Sequence, residues 1–168
     1  MLFLSSIPTG ISISKLICTN GCNISFMGEV EVKHQAFFKD SVIKKFPESF
    51  STKSLLEINN TDMDALLNMP KIKISADTLK IVEKRKDFTL PNFVCDGYVD
   101  IQASKNVILP NNFTVGATLN ISSSPEIKKL PENMRIFGNL YLSDITKIQM
   151  PNKLRSEEHT SELQSRLH

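Results

Sequence analysis

The sequence predicts a mainly β fold: a repeat solenoid of about 20-residue coils carrying a parallel sheet, with short irregular helical insertions. Three observations predict it. Nine-residue stretches of alternating apolar residues recur along the chain, each centred on a small residue. Dipeptides of an apolar residue and proline recur in step with them. A unit of this length cannot bury its apolar face alone, so successive units must stack.

The alternation is clearest in LPENMRIFGNLYLS, Leu130 to Ser143. Met134, Ile136, Gly138, Leu140 and Leu142 fall on one face; Arg135, Phe137, Asn139 and Tyr141 fall on the other. Period-two alternation is the signature of a strand with one buried face. The same frame recurs as Phe113-Val115-Ala117-Leu119-Ile121, Phe93-Cys95-Gly97-Val99-Ile101 and Phe50-Thr52-Ser54-Leu56-Ile58. It recurs again as Ile24-Phe26-Gly28-Val30-Val32, and as Ile72-Ile74-Ala76-Leu79-Ile81 with one residue inserted after Ala76. The small central residue leaves room for a bend of the coil or for close approach of the opposite wall.

Leu90-Pro91, Leu109-Pro110, Leu130-Pro131 and Met150-Pro151 lie 19, 21 and 20 residues apart. Phe46-Pro47 and Met69-Pro70 extend the series upstream at spacings of 23 and 21. Proline fixes φ and lacks an amide donor, which suits a corner before a strand. Phe88, Val107, Ile127 and Ile148 fall just before four of these pairs. Each repeat is therefore expected to run corner, strand, polar turn, short apolar segment, corner.

Three regions follow. Residues 1–45 hold irregular N-terminal repeats with an insertion. Its stretch HQAFFKDSVIKKF, running on to Phe46, is expected to form a helix that packs Phe37, Phe38, Val42 and Ile43. Residues 46–154 form the regular solenoid, in which Thr61 is expected to N-cap a short helix with Asp62 and Asp64 in its first turn. Residues 155–168, RSEEHTSELQSRLH, keep none of the column residues. This tail resembles the translation of a common sequencing adapter and is set aside as non-native. The array is then expected to be a fragment, cut within a repeat, of a larger protein.

Composition narrows the function classes. The chain has 20 basic and 18 acidic residues; setting aside the tail's two and three leaves 18 and 15, a net charge of +3. The densest basic stretch, Lys80 to Phe88, is short and lacks aromatic platforms, so nucleic acid is not an expected partner. No apolar run approaches the ~20 residues of a membrane helix, and no membrane partner is expected. MLFLSSIPTG has no basic leader, so the expected location is cytoplasmic, or secreted without a cleavable signal peptide.

Little here points to chemistry. Three cysteines make no disulfide framework. Cys95 sits in the inward frame, and Cys18 and Cys22 lack partners for a metal site. His34 is the one histidine outside the tail, and no glycine-rich phosphate loop is present. No catalytic residue, metal or cofactor is assigned, and a non-enzyme is expected. What remains is a surface. The outward strand residues form rows: Tyr98, Thr118, Asn139; Asp100, Asn120, Tyr141; Gln102, Ser122, Ser143. This polar, sparsely charged face with two tyrosines is the candidate protein-binding site.

LPNNFTVGATLNISSSPEIKK and LPENMRIFGNLYLSDITKIQM resemble the LP-containing leucine-rich repeats of bacterial secreted effectors and phage-borne relatives. The resemblance is good from Leu90 to Leu154, fair from Phe46 to Thr89 and weak before that. It implies a scaffold for protein recognition. Two alternatives stand beside it: the substrate-recognition arm of a secreted effector ubiquitin ligase whose catalytic domain is missing from this sequence, or a structural or adhesive phage or surface repeat protein. Such repeats usually carry asparagine three residues after the strand's last apolar position; here those positions hold Ser104, Ser124 and Ile145. That departure leaves open a horseshoe or a straighter β-helix.

Overall fold

A computed structural model describes residues 6–145, 147–152 and 155–156. The chain winds as a β-solenoid of about seven turns. Every ladder between coils is parallel, the outcome expected when each coil repeats the direction of the last. Each coil has two arms joined by a bend. First arms include Phe93–Cys95 and Thr114–Val115; second arms include Tyr98–Ala103 and Leu119–Asn120. The far side adds short pairs such as Phe88–Thr89 with Val107–Ile108. Strands on more than one side make the coil resemble a β-helix more than a strand-and-helix horseshoe.

Like residues stack on like. The first-arm column runs Ile11, Val30, Phe50, Ile74, Cys95, Val115, Ile136. The second-arm column runs Leu16, Ala36, Leu56, Leu79, Val99, Leu119, Leu140. Between the ends these side chains are buried, whereas Ile11, Leu16 and Leu140 on the outermost coils are only partly covered. The apolar-proline pairs form the corner. There the Leu90 amide donates to the Ile108 carbonyl and the Leu130 amide to that of Gln149.

From Val30 onward the bend tightens along the stack. Between the two columns lie residues 12–15 on the first coil, then 31–35, 51–55, 75–78, 96–98, 116–118 and 137–139. After the four residues of the first coil, the path shortens from five residues to three. In the early coil both arms form one continuous strand, Val30–Lys39. The wider early coils are filled by aromatic side chains: Phe26 and Phe46 lie 5.1 Å apart and Phe46 and Phe50 5.0 Å apart. The narrower late coils bury Phe93 and Phe113 beside Val99, Val115, Leu119 and Ile136.

Several expectations are corrected. His34 to Phe46 is not helical: His34–Lys39 completes a strand and Val42–Lys45 forms another. Phe38 and Ile43 are buried as strand residues, since the ladder with the coils on either side satisfies the backbone. The helix after Thr61 is a single 3-10 turn, Asp64–Leu66, without a side-chain cap. The Thr61 hydroxyl instead donates to the Asn59 carbonyl, and the Asp62 carboxylate accepts from the Asp64 amide. One N-terminal frame is shifted throughout and another only in its first half. Phe50 falls in the column of Ile74 and Cys95, while Leu56 and Ile58 keep the expected register with Val99 and Ile101. Val30 belongs to the first-arm column, so Gly28 is not at the bend. Gly28 packs against Thr9 near a corner formed by Ile7 and Phe26, whose own dipeptide lacks the proline marker.

The cysteines also depart from expectation. Cys18 and Cys22 form a disulfide across a turn. Asn20 and Gly21 both adopt positive φ, which doubles the chain back and sets the two Cα atoms 5.8 Å apart. Spacing alone does not reveal that reversal. At the other end, Arg155–Ser156 pairs with Arg135–Ile136 and continues the ladder. The rest of the region 155–168 lies outside the described residues.

Candidate recognition surface

The second arm alternates, so every other side chain points outward from the column Val99, Leu119, Leu140. Asp100, Asn120 and Tyr141 are direct neighbours in this ladder. Tyr98, Thr118 and Asn139 precede the column residues by one position, and Gln102, Ser122 and Ser143 follow by three. The nine candidate residues therefore form three rows on one face. Their polar groups are tied together: Gln102 donates to Asp100 over 2.8 Å, and the Asn120 amide donates to the other Asp100 oxygen over 3.1 Å. The Ser143 amide donates to the Ser122 hydroxyl over 3.1 Å, and that of Asn139 to the Thr118 hydroxyl over 3.3 Å. Tyr141 is 50% exposed at the edge of this network.

The face extends beyond those residues. Upstream of Asp100 the central row continues through Lys80, Glu57, Phe37 and Ile17. It changes from polar to apolar toward the N-terminus, where the Lys15 ammonium lies 5.0 Å from the Phe37 ring centroid. The irregular early repeats hid this continuity, because Phe37 was expected on a helix.

The bend adds a second feature. In the second-arm register the bend position holds His34, Ser54, Asp77, Gly97, Ala117 and Gly138, each two residues before a column residue. Small residues occupy it in the three tight coils. They are not sealed in the core: Gly97 and Ala117 are half-buried and Gly138 is exposed. What crowds them is the coil before. A Cβ on Gly97 would collide with the Ala76 carbonyl oxygen, and one on Gly138 would lie 2.8 Å from that of Ala117. The two arms meet at this bend in a groove of about 650 Å³, lined by residues from Glu31 to Ala117 on successive coils.

Buried hydroxyls fasten the turn after the second arm. Ser124 donates to the Ile101 carbonyl over 2.8 Å and accepts from the Ala103 amide over 2.9 Å, joining its coil to the one before. The Ser41 hydroxyl sits between two acceptors, the Lys39 carbonyl on its own coil at 2.8 Å and the Cys18 carbonyl on the coil before at 3.1 Å. Ser41, Thr61 and Ser124 each stand three residues after a column residue, Phe38, Ile58 and Ile121. A buried serine or threonine thus occupies this place on three coils and Ile145 on another; Ser41 and Ser124 reach the coil before because the coils are close, whereas the Thr61 hydroxyl bonds within its own coil.

The reactive groups are occupied. Burial pushes the Cys95 thiol up to about 11, leaving it protonated and unreactive near neutrality. Burial raises the Glu83 carboxyl, but hydrogen bonds from Arg85 and its charge outweigh that and hold it below its ordinary value. The Arg85 Nε and amide donate to Glu83 over 3.2 and 2.8 Å. Among the described residues, no three His, Cys, Asp or Glu side chains are grouped to hold a metal ion. Among them, too, no helix is long and apolar enough to cross a membrane. The surface offers hydrogen bonding and aromatic contact. No protein-family model, no curated protein and no solved structure matches this chain.

Proposed function

We propose that this chain is a non-catalytic β-solenoid scaffold that recognises a protein partner through the outer face of its second arms. The observation that carries the reading is the pre-formed polar network across Asp100, Gln102 and Asn120, with Tyr141 projecting beside it. Side chains already held by one another lose little freedom on binding, and tyrosine supplies contact area with a polar tip. The resemblance of Leu90 to Leu154 to LP-type leucine-rich repeats supports the same reading.

A photo-cross-linking residue at position 141 tests it. One discrete cross-linked protein is expected, and Asn120→Arg should abolish the product without changing the melting temperature. Equal capture in the Asn120→Arg background, or from a cross-linker at Lys73 on the first arm, overturns the reading.

A further inference from the structure

We propose that the groove at the bend is a docking channel for an extended, basic peptide segment running along the stack. The inference rests on the recognition reading and names where part of the partner lies.

The shape argument comes first. The groove crosses five coils, from Glu31 through Ser51, Ser75 and Asp96 to Ala117. Four steps between parallel strands at ~4.8 Å give a length of ~19 Å, which an extended chain spans with about six residues. Its floor is low because Ala76, Gly97 and Ala117 present little or no side chain there. An incoming backbone therefore approaches closely.

Charge selects the occupant. Glu31, Asp77 and Asp96 line the groove against one cation, Lys53, although the whole chain carries +2. The neighbours that hold two of these carboxylates, Glu31 and Asp96, are neutral. The Ser12 hydroxyl donates to Glu31 over 2.8 Å, and the Ser75 hydroxyl to Asp96 over 2.7 Å. The ion pairs among the described residues lie elsewhere, at Arg85–Glu83 and around Lys86. A groove in which carboxylates outnumber cations three to one attracts a cationic ligand and repels an anionic one. The carboxylates stand on different coils, so the complementary cations must be spread along an extended chain.

The test uses the full chain and two fluorescein-labelled probes, an octapeptide alternating lysine with serine and one alternating glutamate with serine. Fluorescence anisotropy at low salt should show binding of the lysine peptide and none of the glutamate peptide. Glu31→Lys combined with Asp77→Lys should weaken it about tenfold or more. Tyr141→Ala should leave it unchanged, with all variants showing the parent circular dichroism. Amide shifts on adding the lysine peptide should concentrate at Ala76, Asp77, Gly97 and Ala117. Equal affinity in the double-lysine variant, preference for the glutamate peptide, or shifts elsewhere overturns the channel. Cross-linking from position 141 reads the outer face separately, so failure of the channel is distinct from failure of the scaffold reading.

Discussion

Gly97 faces Asp77 so closely that a Cβ on the glycine would lie 2.6 Å from the Asp77 carbonyl oxygen. First-arm pairing sets Cys95 beside Ile74, while second-arm pairing sets Tyr98 beside Thr78. Gly97 therefore meets both Ala76 and Asp77, the place where the sequence needs one inserted residue. Gly97→Ala forces the two backbones apart and should cost about 1–3 kcal/mol, whereas Ala117→Gly should be milder. Thermal melting checks it; an unchanged Gly97→Ala midpoint would mean the coils are not packed this tightly.

Val99 and Leu140 share a column but not an environment. Val99 is buried between Leu79 and Leu119, whereas Leu140 is half-buried near the end of the stack. Val99→Asp strands a charge in the core and should abolish folding, while Leu140→Asp should leave a folded but less stable chain. Circular dichroism separates the two; equal damage would contradict the graded burial.

Ser124→Ala removes, in a fully buried site, the hydroxyl that donates to the Ile101 carbonyl and that shares the Ala103 amide with the Ser123 carbonyl. The loss should be about 1–3 kcal/mol in urea denaturation. Ser104→Ala, at an exposed position, should be close to neutral.

The carboxyl of Glu83 is held below its ordinary value by Arg85, so it binds protons less readily folded than unfolded. Its contribution to stability is present above the unfolded pKa and lost as pH falls through the lower folded one. Glu83→Gln should therefore flatten the acid side of the stability profile. An unchanged profile would mean the pair adds no pH-dependent stability.

Thiol titration in denaturant without reductant should report one free cysteine, Cys95, because Cys18 and Cys22 are paired. Three free thiols would remove the disulfide from the account.

Much of this architecture was legible in the chain, and the parts that were not share a cause. From Leu90 onward the proline corners and the small bend residue recur together, so two independent markers set the register and the rows Tyr98 to Ser143 follow. Before Phe46 the markers disagree: Phe26 occupies a corner without proline, and the bend holds His34. A five-residue path accepts His34 as well as Ser54 at the bend, so a small residue no longer marks it. Alternation alone then fits several registers, because a shift of two or four residues preserves which side faces inward. The groove was not legible, since it arises where two faces meet, and the turn-spanning disulfide depends on two positive-φ residues that spacing does not announce.

The most direct measurement is a methyl-labelled NOESY spectrum of the folded chain. Parallel stacking in this register predicts cross-peaks from Val99 to Leu79 and Leu119, and from Val115 to Ile136. Cross-peaks joining Val99 to Val115 or Ile136 in place of those neighbours would contradict the stacked-coil architecture on which the scaffold and the channel both depend.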